Sequence, residues 1–282
     1  MDRSISKQIK EDLKEKMVFI GGPRQVGKTT LAINFLPSKS KSDPAYLTWD
    51  QKSDRLLIQK EQLPAIYSLI VLDEIHKYRS WRNLVKGYFD RYFPKVNYLI
   101  TGSARLDVYR HGGDSLHGRY YYHRLHPLSL KELNNNPTSA DLAHLFKYGG
   151  FPEPFLKATE RFLARWRRSR IESVFQEDIR ELESVKDLSR LELLFETLPD
   201  RLCSPLSLNA IAKDLEVSRD SVALWIEIFD RMYLTFRISP YGGPKIRAVK
   251  KEQKLYFWDW TIANKDGPRF ENLVALQLLK YC

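Results

Sequence analysis

Gly22-Pro23-Arg24-Gln25-Val26-Gly27-Lys28-Thr29 has the spacing G-x-x-x-x-G-K-[ST]. Residues of those types at that spacing suit one task, the holding of a row of phosphates. Gly22 and Gly27 let the backbone bend until its N–H groups converge on one anion. Lys28 supplies a cation for the β- and γ-phosphates, and Thr29 a hydroxyl for Mg²⁺. Arg24, Gln25, Val26 and Thr30 complete the nucleotide-binding stretch. A second pair of residues follows later, Asp73 and Glu74. Asp73 would hold the metal together with Thr29, directly or through water. Glu74 would orient and activate the attacking water.

That chemistry requires particular elements around it. Residues 17–20 are apolar and read as a strand entering the loop, and 29–35 read as the helix leaving it. Leu69-Ile70-Val71-Leu72 is a run of four apolar residues. Such a run reads as a strand buried on both faces of a parallel sheet, with both carboxylates at its carboxyl end. Residues 45–49 read as another strand, ending at Asp50, which is read as a cap for the next helix rather than a nucleotide contact. Residues 80–93 read as a helix with Trp81, Leu84, Val85, Tyr88 and Phe89 on one apolar face. Residues 98–103 read as a further strand, leaving through the hydroxyl residues Thr101 and Ser103. The expected fold class is therefore α/β, a P-loop parallel sheet core over 1–133.

The chain has 282 residues, with Lys+Arg 46 against Asp+Glu 35 and a net charge of +11. A surplus of this size favours a polyanionic partner. Its two cysteines, Cys203 and Cys282, are far apart and form no disulfide framework. The charged start does not read as a signal peptide, and no apolar run reaches the ~18 residues a bilayer span needs. These features predict a soluble cytoplasmic protein with no membrane partner. His111, His117, His123 and His126 read as a basic loop, not a metal site, because no Cys or paired carboxylate joins them.

At the end of the core 128–133 reads as a helical turn; beyond it 134–139 reads as a loop, 141–148 as a helix and 151–154 as a stiff proline turn. Helices are expected over 155–185. Arg161, Arg165 and Arg168 share one face there, able to meet phosphates or to lie solvated. Residues 207–233 have a helix-turn-helix pattern, with Ser218 capping the second helix. Residues 232–238 and 253–258, joined by the turn 240–244, supply a hairpin wing, so 201–262 reads as a winged helix. Arg219, Asp220 and Ser221 begin its recognition helix. Arg237, Lys245, Arg247, Lys250, Lys251 and Lys254 load the wing with cations that can contact the phosphates of duplex DNA. A winged helix used only for protein contacts is the alternative.

The ordered set Gly-Pro-Arg-Gln-Val-Gly-Lys-Thr-Thr, Leu-Asp-Glu-Ile-His-Lys, Leu-Ile-Thr-Gly-Ser-Ala-Arg, Leu116-His117-Gly118-Arg119, Leu125-His126-Pro127-Leu128-Ser129 and Tyr148-Gly149-Gly150-Phe151-Pro152-Glu153 resembles the prokaryotic AAA-like ATPases of the AAA_14/DUF4143 group. The resemblance implies ATP rather than GTP, with Mg²⁺, and hydrolysis. It implies that Ser103, or else Thr101, senses the γ-phosphate. It also implies a functional arginine at Arg119, acting in cis or on a neighbouring subunit, with Arg105 as runner-up. Residues 134–200 correspond to a helical lid. Residues 263–282 look like the start of a nuclease-like C-terminal region, but no Asp…Glu-x-Lys set follows, so nuclease activity is not expected. The helix over 267–282 is expected to lack its packing partner or to find it in a neighbouring domain. The function implied is an ATP-driven switch acting on DNA or a partner protein. The alternatives are an ATP-holding regulator with little turnover and a signalling module.

Overall fold

A computed structural model describes residues 3–64, 66–102, 116–179, 187–241 and 253–281. Ser103, Arg105, His111 and the central wing residues 242–252 lie outside the described residues. The chain divides into two compact units, Met1–His126 and Pro127–Cys282.

The first unit is built on five parallel strands. They are β1 (Met17–Gly21), β2 (Tyr46–Thr48), β3 (Leu69–Asp73), β4 (Asn97–Thr101) and β5 (Tyr120–Arg124), in the order β2-β3-β4-β1-β5. β4 thus lies between β1 and β3, the strands that carry the two motifs. Every residue of β1 is buried, as a central parallel strand covered on both faces must be. Among the described residues, helices α1 (Ser6–Asp12), α2 (Lys28–Ile33), α3 (Lys52–Gln59) and α4 (Trp81–Tyr92) belong to this unit. Trp81, Val85 and Tyr88 of α4 pack with Met17, Phe19, Ile70, Leu72, Tyr98 and Ile100 of the sheet. The register aligns Ile20 with Thr101 and Thr101 with Asp73. The carboxyl ends of β1, β4 and β3 therefore meet at one edge, where open α/β sheets carry their ligands.

The second unit begins with α5 (Leu130–Leu133), α6 (Ser139–Tyr148), α7 (Pro152–Lys157) and α8 (Glu160–Ser173), which runs on into a π-helical turn at Val174–Ile179. The proline turn expected at 151–154 is instead the start of α7. Pro152 takes the first helical turn, where its missing N–H would have no partner anyway. Gly150 is set by close packing. A Cβ there would stand 2.6 Å from Trp260 Cη2 and 2.8 Å from Pro127 Cβ. Arg170 lies buried beneath this corner. Its guanidinium sits 4.3 Å over the Phe151 ring and donates from Nη2 to Tyr233 O at 3.3 Å. Burial pulls its pKa down to about 10.

Helices α9 (Leu188–Thr197), α10 (Leu208–Asp214) and α11 (Arg219–Arg231) follow, then the antiparallel pair β6 (Thr235–Ile238) and β7 (Lys254–Phe257). Ser218 Oγ accepts from Ser221 N at 3.0 Å and so caps α11. Val222, Ile226 and Phe229 turn inward on that helix. Of the wing cations, Arg237 is held by Asp230 at 2.7 Å and Lys254 by Glu271 at 3.0 Å. Both cations of the described wing strands thus carry an acidic neighbour that the local sequence pattern does not reveal. The last helix, α12 (Asp266–Leu279), finds a packing partner within the unit. Its buried Asn272 accepts from Phe257 N at 2.7 Å and donates to Phe257 O at 2.8 Å.

Candidate functional site

The loop after β1 takes a backbone path that few residues tolerate. Gly22, Gln25 and Gly27 have φ of 137°, 61° and 99°. At Gly22 a Cβ would also come within 2.5 Å of Leu125 O. Strain and crowding together explain glycine at this position. Gln25 adopts the left-handed region without being glycine, a local strain of the kind that collects at functional loops. The turn delivers Lys28 and Thr29 to the first turn of α2. Lys28 is buried, and its Nζ donates to Gly22 O at 3.0 Å and Pro23 O at 2.7 Å. Arg24 is half-buried, Val26 buried, and Gln25 and Thr30 exposed. The loop has a further tie that the sequence did not signal: Arg3 Nη1 donates to Val26 O at 3.2 Å while Nη2 donates to His126 O.

Asp73 joins this loop to the second motif. Thr29 Oγ1 donates to its Oδ2 at 2.9 Å. Tyr46 Oη donates to the same oxygen at 2.7 Å, and Thr101 Oγ1 to Oδ1. A carboxylate and a threonine hydroxyl side by side are hard oxygen donors, the set that suits Mg²⁺. Thr101 was the second choice as phosphate sensor behind Ser103, and here its hydroxyl is engaged by Asp73. Tyr46 was missed. Only the pairing of β2 with β3, which sets Tyr46 beside Val71, brings its phenol to a carboxylate on the neighbouring strand. Burial and the charge of Asp73 push the Tyr46 pKa far up, so Tyr46 is a donor at any ordinary pH. Outer partners of this kind typically tune metal affinity 10–100-fold. Tyr46→Phe is therefore expected to raise about tenfold the Mg²⁺ concentration that half-supports nucleotide binding. Equilibrium titration of a fluorescent ATP analogue at stepped Mg²⁺ checks this.

Glu74 leaves the strand in the left-handed region, φ 56°, with its N–H on Thr101 O at 3.0 Å. That kink turns its carboxylate away from the strand line. Burial first, then the charge of Asp73, holds the Glu74 pKa above the ordinary glutamate value. Lys77 Nζ lies 3.7 Å and His76 Nε2 3.6 Å from Glu74 Oε2. Lys77 Nζ also meets Asp50 Oδ1 at 2.6 Å. Asp50 was expected to cap α3. Gln51 takes the cap position instead, with no side-chain cap bond, and Asp50 serves as the partner of Lys77.

Arg119 falls elsewhere. It precedes β5, and its carbonyl accepts from Met17 N at the amino end of β1. Gly21, where the loop begins, pairs with Arg124 instead. Arg119 thus stands five residues, roughly 16 Å, from the loop edge. Asp90 holds its guanidinium at 2.7 and 3.1 Å. This placement puts Arg119 at the end of the strand opposite the phosphate loop. The arginine that the strand register sets beside the loop is Arg124. Ser103, the first choice as sensor, lies outside the described residues. His123 Nε2 contacts Asp12 Oδ2 at 2.6 Å. Among the described residues no three His, Cys, Asp or Glu side chains cluster as a metal site. None of the described helices is long and apolar enough to cross a membrane.

Residues 14–134 match the family model of an AAA domain, AAA_14. Residues 139–266 match a domain of unknown function, DUF8612. The uncharacterized protein MJ1544 of Methanocaldococcus jannaschii is 24% identical over 314 residues, covering 97% of this chain and 70% of that protein. The uncharacterized protein Rv2008c of Mycobacterium tuberculosis is 24% identical over 247 residues, 86% of this chain and 54% of that protein. The chain therefore spans about half the length of the mycobacterial relative. Among solved structures, the Walker-type ATPase PABY2304 of Pyrococcus abyssi superposes with a TM-score of 0.53 at 15% identity, covering 95% of both chains. That likeness concerns the fold alone.

Proposed function

We propose that this chain, which carries an AAA_14 domain over residues 14–134, is an ATPase whose nucleotide state is read out by a winged helix on duplex DNA. The observation that carries the catalytic half is the Thr29–Asp73 hydrogen bond with Glu74 next in sequence. It joins the loop after β1 to the carboxyl end of β3, which supports reading Thr29 and Asp73 as the metal-holding pair and Glu74 as the water-activating carboxylate.

In this reading the loop N–H groups from Gly22 to Thr30 bind the phosphates, and Lys28 Nζ exchanges its loop carbonyls for the β/γ-phosphate oxygens. Thr29 and Asp73 would hold Mg²⁺, which, when bound, would neutralise charge on the phosphate oxygens. Tyr46 and Thr101 keep Asp73 oriented. Glu74 accepts the proton of the attacking water, and its raised pKa makes it a better base than a solvated glutamate. The γ-phosphate sensor is assigned to Ser103. Arg119 is proposed to act on the phosphates of a neighbouring subunit.

α10 and α11 with β6 and β7 are read as the winged helix. The exposed Arg219 and Asp220 open its recognition helix, with Ser221 behind them. The net charge of +11 supports DNA over a neutral partner. A cytoplasmic setting fits the two sequence-distant cysteines. The test is ATP hydrolysis with and without duplex DNA, Lys28→Ala serving as blank, alongside duplex affinity in ATP, ADP and no nucleotide. The expected result is an affinity that differs between nucleotide states. Equal affinity in all three would dispose of the coupling.

A further inference from the structure

Helix α8 (Glu160–Ser173) carries an arginine row that the nucleotide site does not use. Among the described residues, several arginines elsewhere in this protein are held by acids. Arg91, Arg119, Arg190, Arg201, Arg231 and Arg237 each meet a carboxylate. On α8, Arg161, Arg165 and Arg168 are exposed and have no ion pair, hydrogen bond or ring contact. The one acidic residue before them on the helix, Glu160, is taken by Lys147 at 2.7 Å. Glu172, a turn beyond Arg168, bonds none of them.

Their spacing gives the row its geometry. At 100° per residue, positions i, i+4 and i+7 fall within about 60° of arc. Leu163, Trp166 and Arg170, the buried residues of the helix, lie on the opposite side. The row therefore points straight away from the unit's core. It runs about 10 Å along the helix axis at 1.5 Å per residue. Three guanidinium forks over that length match consecutive phosphates of one strand, and the forks suit bidentate phosphate contact. An unneutralised, parallel row of this kind raises the local potential, where paired surface arginines do not.

We propose that the Arg161–Arg165–Arg168 face of α8 is a second duplex-DNA contact, gripping the sugar-phosphate backbone without reading bases. It rests on the DNA half of the function proposed above but not on its helix-turn-helix. The two surfaces divide the work: α11 would reach base edges, and α8 would supply the salt-sensitive part of the affinity.

The test is fluorescence anisotropy of a labelled random-sequence duplex with the full chain, titrated at several salt concentrations. Three variants are compared with the parent: Arg161→Gln/Arg165→Gln/Arg168→Gln, the same three positions changed to Lys, and Arg219→Gln. Far-UV circular dichroism and thermal melting establish that each is folded. The expected result for the Gln triple is an affinity lower by about tenfold or more. Its slope of log affinity against log salt should be shallower by 2 to 3, since each phosphate contact contributes roughly 0.9. The Lys triple should keep most of the slope. Arg219→Gln should leave the α8 contribution intact, so loss in that variant alone with an unchanged Gln triple overturns the α8 contact while sparing the winged helix. Overturning results also include a parent that does not bind duplex at low salt. A poly-glutamate peptide that competes as well as unlabelled duplex would reassign the face to an acidic protein.

Discussion

Glu74→Gln is expected to bind Mg·ATP within about threefold of the parent and to hydrolyse it at least a hundredfold more slowly, the usual contribution of a positioned general base. Glutamine keeps the shape and removes the basic site, so the loss falls on the chemical step and not on binding. Single-turnover hydrolysis together with analogue binding separates the two. The pH behaviour follows with a definite sign. The folded pKa of Glu74 is raised above the ordinary value of 4.5, so the native state holds its proton to higher pH than the unfolded chain. Stability therefore falls as pH rises from 4.5 through the folded value, and the deficit is complete above it. Glu74→Gln is expected to melt higher than the parent at neutral pH, with the advantage vanishing below about pH 4.5. The parent's hydrolysis should decline on the acid side with a midpoint above the ordinary glutamate value. A variant that hydrolyses as fast as the parent would assign water activation to another group.

Lys28→Ala removes the one buried cation of the phosphate loop. A hydrogen bond to a charged partner contributes roughly 1.5–3 kcal/mol, so nucleotide affinity is expected to fall by about 10- to 150-fold. The same change also withdraws a donor from Gly22 O and Pro23 O. A modest loss of stability, about 1 kcal/mol, accompanies it. Titration of a fluorescent ATP analogue reads the first effect and thermal melting the second. Added Mg·ATP should stabilise the parent and not the variant, because only a ligand that binds the native state raises its melting point.

The two nucleotide motifs were legible because their signals are local. A Gly-rich turn between an apolar run and a helix, and an apolar run ending in Asp-Glu, need no long-range information. The parallel α/β class followed from the same pattern. What was hidden depends on pairing across the chain. Tyr46 reaches Asp73 only because β2 lies beside β3. Arg3 reaches the loop across 23 positions to Val26. Arg119 looked catalytic beside a Gly-rich stretch, yet parallel pairing of β5 with β1 puts it at the amino end of the sheet, opposite the loop. Asp50 looked like a cap because an acidic residue precedes a helix. A lysine from another segment claims it instead. The prolines at 152 and 154 read as a rigid turn. They are equally compatible with the first turn of a helix, which is what they form.

The most direct measurement is calorimetric titration of a non-hydrolysable Mg·ATP analogue into the full chain and into Lys28→Ala. The expected result is one-to-one binding to the parent, weakened when Mg²⁺ is chelated and at least tenfold weaker in the variant. Absence of heat at millimolar analogue with a folded parent, or equal binding by parent and variant, would contradict a phosphate site formed by Gly22–Thr29 and Asp73.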